Sequence, residues 1–210
     1  DYSPHDHRFL TALAQTEHQV YALRLERGSR QLEDRPLPPQ IEQVVWKGGQ
    51  RAVTWSDTPA LLLDLQRVTR KIKPDIIHAG PVPNVAFLAA LSGFKPLVSM
   101  SWGSDLLRDI EQDGGQLRSA RFALKRSAVL VGDCEAVKQK AVSLGFPAER
   151  VVLFPWGVDL KTFSPAESMR RQRLGWENAF VILSLRTWEP LYGVEHVVRA
   201  FCLAAQELPE

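Results

Sequence analysis

The sequence predicts an α/β fold, a mostly parallel sheet covered by helices on both faces. Strand and helix signals alternate almost from end to end, which is the pattern of a parallel sheet with crossover helices. The helical segments are punctuated by proline and glycine, and a composition of 45% hydrophobic and 24% charged residues is that of a globular chain. Its 210 residues are enough for one good-sized domain, or one domain and part of another.

The elements follow in order. A helix starts near His5, after a loop over Asp1 to Pro4. His18 to Leu25 and Ile41 to Trp46 read as strands. Thr58 to Lys73 is helical, because Leu61, Leu62, Leu65, Val68 and Ile72 recur at helical spacing, and Pro74 ends it. Asp75 to Ala79 is a short buried strand, Val85 to Leu91 an apolar helix, and Pro96 to Ser101 the next strand. A helix over Leu117 to Arg126, a strand over Ala128 to Gly132 and a helix over Glu135 to Leu144 come next. Gly145 and Pro147 stop that helix, and Arg150 to Phe154 closes the series as a strand.

Pro155 to Pro165 carries no periodicity and reads as a linker. Beyond it a short polar helix (Glu167 to Leu174), a strand (Phe180 to Leu185) and a helix (Gly193 to Glu207) form one βα unit of a second sheet. The expected organisation is therefore a first domain over 1–154, a linker over 155–165 and the incomplete start of a second domain over 166–210. The opening loop should follow a strand, so the sequence is expected to be a piece of a longer protein, lacking a first strand and most of a second domain. Such an exposed βα unit leaves self-association open.

A net charge of +2 argues against nucleic acid as a partner. No apolar run reaches the ~18 residues of a membrane span, and nothing at the start resembles a signal peptide. A soluble, cytoplasmic protein is expected, one that can still touch the inner face of a membrane. Cys134 and Cys202 lie far apart among apolar neighbours and read as buried thiols. No metal-ligand spacing, GxGxxG, P-loop or GxSxG occurs.

In an open parallel sheet, ligands gather where the strands end. The residues following each strand are the candidates: Ser3 and His5; His78, Gly80 and Asn84; Trp102, Gly103, Ser104 and Asp105; Asp133 and Cys134; Trp156 and Gly157; Arg186, Trp188 and Glu189. Asp105 either binds a hydroxyl in the cleft, as its position favours, or caps the helix at Leu106. His78 either meets a ligand or bonds neighbouring backbone. His5 is preferred to His7, which falls on another helix face. Arg186 lies before a helix opened by Gly193 and suits an anion such as a diphosphate; the alternative is a surface pair with Glu189. Arg118, Arg121, Lys125 and Arg126 read as the solvated face of a core helix, with anionic headgroups as the lesser reading.

Ser3-Pro4-His5 with Arg8-Phe9 and His18-Gln19-Val20, then Val98 to Leu107 (VSMSWGSDLL), then Gly145-Phe146-Pro147 and Val151 to Pro165 around Pro155-Trp156-Gly157-Val158-Asp159 resemble, in that order, a prokaryotic branch of the family 4 glycosyltransferases. The resemblance runs from the first loop to the last helix. It implies the GT-B architecture of two Rossmann-like domains, the first holding the acceptor and the second a nucleotide-diphosphate sugar. It also implies transfer with retention, and neither metal nor cofactor. By resemblance Arg186 neutralises the donor diphosphate, with Gly193 beside it. Tyr192 stands where the family places a lysine, with one extra residue between it and the arginine. The family's paired glutamates would fall past Glu210, so these residues by themselves are expected to be inactive. A non-catalytic sugar- or nucleotide-binding protein, or a GT-B epimerase or phosphorylase, remain alternatives, and the acceptor is open among glycans, lipid-linked glycans and small alcohols.

Overall fold

The computed structural model describes residues 2–28, 33–165 and 169–207. Its chain divides into two compact units, 1–157 and 158–210.

The first unit opens with helix α1 (Pro4–Leu13). Ser3 caps it through a reciprocal box with Asp6, and Pro4 fills the first helical position, where no amide hydrogen is needed. Strands β1 (Val20–Ala22) and β2 (Ile41–Gln43) pair in parallel as one ladder. Helix α2 (Thr58–Ile72) ends at Lys73 in the left-handed conformation, one residue before Pro74. It buries Leu61, Leu65 and Val68 with Trp46 and Leu88 in a core of its own.

Four further strands form the main sheet, β3 (Ile77–Ala79), β4 (Leu97–Met100), β5 (Val129–Gly132) and β6 (Val151–Leu153), adjacent in chain order and all parallel. The expected parallel α/β architecture is thus present, divided among the described residues into a two-stranded and a four-stranded sheet. Crossovers are made by α3 (Phe87–Leu91), the one-turn α4 (Ile110–Gln112), α5 (Gly114–Arg126) and α6 (Glu135–Ser143). A π-turn leads into each of the first two, over Val82–Ala86 and Asp105–Asp109. Leu97, Leu106, Leu124, Leu130 and Val137 are almost fully enclosed at the centre of this layer. The basic side of α5 faces solvent: Arg118, Arg121, Lys125 and Arg126 are all exposed while Ala120, Ala123 and Leu124 are buried.

Because every strand of the main sheet runs the same way, one edge collects all the carboxyl ends. Gly80, Trp102, Asp133 and Trp156 follow β3 to β6 there.

The second unit holds α7 (Met169–Arg173) and α8 (Val194–Glu207). Phe180 to Leu185, expected as a strand, forms no ladder among the described residues. A strand exists only where a neighbour takes its amide and carbonyl groups, and here Phe180 and Leu185 are 92% and 85% exposed. The cysteines correct another expectation, since both Cys134 and Cys202 are exposed. Cys134 occupies the cap of α6 at the open sheet edge, and Cys202 lies on α8, whose Val197, Val198 and Phe201 are also exposed. Among the described residues no helix is long and apolar enough to cross a membrane.

Candidate functional site

The carboxyl edge of the main sheet carries a ring cluster assembled from α1, the end of β3 and the loops after β4 and β6. Trp102 and Trp156 are stacked, with centroids 5.4 Å apart and planes at 23°. His5 meets both, at 5.6 Å from Trp102 and 4.5 Å from Trp156. Phe9 adds its ring at 5.6 Å from Trp156, 5.9 Å from Phe154 and 6.5 Å from His78. Such pairs contribute about 0.5–1.5 kcal/mol each beyond the area they bury.

The polar atoms in the cluster are only partly satisfied. Trp156 Nε1 donates to Asp133 Oδ2 at 3.1 Å. By contrast, His5 Nδ1, Trp102 Nε1 and Asp133 Oδ1 are buried with no hydrogen-bond partner. An orphaned buried polar atom costs about 1–3 kcal/mol, so three in one cluster mark a place where the fold tolerates a cost.

Two glycines allow the strand ends to approach. A β-carbon at Gly80 would stand 2.5 Å from the Met100 carbonyl oxygen and 3.1 Å from Trp102 Nε1. Gly103 adopts φ +89°, a left-handed conformation that side chains resist, and its amide donates to Ser101 Oγ at 3.1 Å.

Asp105 corrects the expectation of a cleft-facing carboxylate. It is 3% exposed and accepts from Ser101 Oγ at 2.7 Å, Trp102 N at 2.9 Å and Val82 N at 2.9 Å. Burial pushes its pKa up, against these donors, which favour the ionised form. Its work is internal: it ties the loop after β3 to the loop after β4. Ser104 precedes it with an exposed side chain that caps nothing.

Ser3 is likewise spent on structure, donating from Oγ to Asp6 Oδ2 at 2.7 Å. His7, on the other helix face, pairs with the Tyr2 hydroxyl at 2.8 Å. Crowding strips water from the His78 ring and lowers its pKa. The residue as a whole is exposed, and it stands at the rim of the cluster. Gly157 supplies a carbonyl to Arg8 Nη2.

Phe9, Phe154 and Arg8 belong to this cluster although position after a strand does not single them out as candidates. Phe9 had a readable signal, since it lies one helical turn beyond His5 and shares its face. The Arg8 contact spans 149 positions and left no local trace.

In the second unit, the Arg186 guanidinium lies 5.7 Å over the Tyr192 ring. No ion pair with Glu189 is present among the described residues. Gly193, at φ +63°, ends the turn Pro190–Tyr192 and passes the chain into α8, its carbonyl accepting from His196 N. Arg186 and Tyr192 are exposed, and Gly193 is half-buried. Among the described residues no group of three His, Cys, Asp or Glu could hold a metal ion.

A parallel sheet with helical crossovers and such a cluster at its carboxyl edge defines an α/β protein whose candidate ligand site lies where the strands end. Glycosyltransferase Family 4 matches residues 5–162, and the chain belongs to that family. Among solved structures it is similar to Alr3699/HepE of Anabaena, determined in complex with UDP, at 20% identity and a TM-score of 0.50 over 65% of this chain and 37% of that one. It is also similar to a sucrose-phosphate synthase of Thermosynechococcus elongatus, at 14% identity and a TM-score of 0.56 over 80% of this chain and 45% of that one. Likeness at these identities establishes the GT-B type of fold. The chain spans 37% and 45% of the two matched chains, less than half of either. No curated protein matches it.

Proposed function

We propose that the chain is the acceptor-side part, with the beginning of the donor-side part, of a retaining glycosyltransferase that moves a sugar from a nucleotide-diphosphate sugar to a hydroxylated acceptor. Residues 1–154 hold the acceptor, 155–165 connect, and 166–210 open the nucleotide-sugar domain. The observation that carries the reading is the Trp102–Trp156–His5 cluster with its three orphaned polar atoms at the carboxyl edge. Aromatic rings offer faces to a sugar's C–H groups, and the orphaned atoms offer it two hydrogen-bond roles. A rotamer step that parts the indoles lets acceptor hydroxyls reach His5 Nδ1, Trp102 Nε1 and Asp133 Oδ1 and relieves their cost.

On the donor side, the family membership and the UDP found with Alr3699/HepE support a nucleoside diphosphate as the bound part of the donor. Arg186 supplies a cation to the diphosphate at the head of α8, and Tyr192 a hydroxyl where the family places a lysine. As the glycosidic bond breaks, charge grows on the leaving diphosphate, and a fixed guanidinium stabilises it. The cluster at the carboxyl edge needs no metal or cofactor for acceptor recognition.

The test is calorimetric titration with UDP, GDP and UDP-glucose, each alone and after a panel of sugar acceptors. Binding of a nucleoside diphosphate that Arg186→Ala weakens supports the donor role. A protein indifferent to every nucleotide and every acceptor would refute the transferase reading.

A further inference from the structure

A second feature of the first unit lies apart from the ring cluster. Where β1 runs out and the chain passes from α2's leading turn to α3, Leu25, Val53, Leu61, Phe87 and Leu88 wall a recess of about 120 Å³. Its mouth is formed by Trp55, 60% exposed and set edge to face on Phe87 at 6.1 Å. Phe87 is in turn held by Phe122 of α5 at 5.6 Å, so the wall is fixed from behind.

The polar groups at the rim differ in what they have left to give. Thr54 Oγ1 is engaged with Ser56 and Asp57, and Thr58 Oγ1 donates to the Trp55 carbonyl. Arg27 lines the recess from an exposed position and is engaged elsewhere, whereas Asn84 is half-buried there and its carboxamide has no hydrogen-bond partner among the described residues. An apolar hollow with one unengaged amide at its lip has the make-up of a small-molecule site.

We infer that this recess binds the compact apolar body of a small alcohol, one aromatic ring or a branched alkyl group of similar size, with the alcohol's hydroxyl on Asn84. Size selects the class, because a dry cavity of about 150 Å³ lined by similar side chains takes up benzene, and a volume near 120 Å³ admits little more than one ring. Calling that alcohol the acceptor's apolar part rests on the acceptor-side reading above; binding in the recess does not.

The experiment is saturation-transfer NMR on the whole chain with benzyl alcohol, toluene and inositol, without nucleotide. Benzyl alcohol should receive saturation and inositol little, and toluene should bind about 2- to 10-fold more weakly for want of the Asn84 hydrogen bond. Val53→Phe, which fills the hollow, should abolish transfer, and Asn84→Leu should bring benzyl alcohol and toluene to parity. Should Val53→Phe fail to fold by circular dichroism, Trp55→Ala at the exposed rim serves instead and should weaken benzyl alcohol several-fold. Absence of transfer to wild type, or transfer undiminished in the folded filling or rim variant, overturns the assignment. Nucleotide titration reads the transferase proposal separately, so either can fail alone.

Discussion

Trp102 and Trp156 are stacked 5.4 Å apart, and only the second has a partner for its indole nitrogen, the Asp133 carboxylate. The asymmetry makes Trp156 the ring anchored by a hydrogen bond, while the Trp102 ring is held by ring contacts. Trp156→Phe keeps a ring in place but strands Asp133 Oδ2 beside the already unpaired Oδ1. We expect a loss of about 1–3 kcal/mol in urea unfolding, whereas Trp102→Phe, which removes an orphaned donor, should cost less. Equal losses would show that the hydrogen bond to Asp133 contributes nothing.

Asp105 holds three donors from two loops. Asp105→Ala leaves Val82 N, Trp102 N and Ser101 Oγ without their acceptor, two of them in fully enclosed surroundings, and should destabilise by about 3 kcal/mol or more. Asp105→Asn should lie between, because its amide accepts at one atom and presents hydrogens at the other. Chemical denaturation reads both.

On the donor side, removing the Arg186 guanidinium should weaken UDP by about 1.5–3 kcal/mol, or roughly 10- to 150-fold in dissociation constant, the range for a charge-assisted hydrogen bond. Tyr192→Phe separates two roles for the tyrosine: a platform for Arg186 survives the change, and a phosphate donor does not. Calorimetry with UDP measures each.

The turn carrying Trp55 depends on pH through Asp57. The Arg51 guanidinium, 2.5 Å from Asp57 Oδ1, and the Thr54 amide hold its carboxyl at about 2, below the ordinary 3.8. A depressed carboxylate pKa means the native state binds fewer protons than the unfolded one, so the contribution is complete above 3.8 and is lost as pH falls through about 2. Carbon-detected NMR titration should find that midpoint, and Arg51→Ala should move it upward.

Most of the fold was legible in the sequence because its signals are local. The runs Asp75–Ala79, Pro96–Ser101, Ala128–Gly132 and Arg150–Phe154 each contain a strand, trimmed by one or two residues where the pairing ends. Phe180 to Leu185 has an equally apolar pattern and forms no ladder among the described residues, because pairing is a property of two segments. The site was legible as an edge, and less so as geometry. Position after a strand brought His5, Trp102, Asp133 and Trp156 into view, yet the same rule offered Asp105, which turns inward to meet an amide at position 82. The recess drew its walls from Leu25, Val53 and Phe87, and nothing in their spacing announces that they meet.

At Gly80 a single absent carbon couples the same two loops that Asp105 ties together. The chain leaving β3 lies so near the Met100 carbonyl that alanine would have to lever the two strand ends apart. Downstream of that lever, one arm carries Trp102 into the ring cluster and the other carries Asn84 to the lip of the recess. Gly80→Ala should therefore perturb ligand responses at both places together, a correlated defect that no substitution within either one would produce.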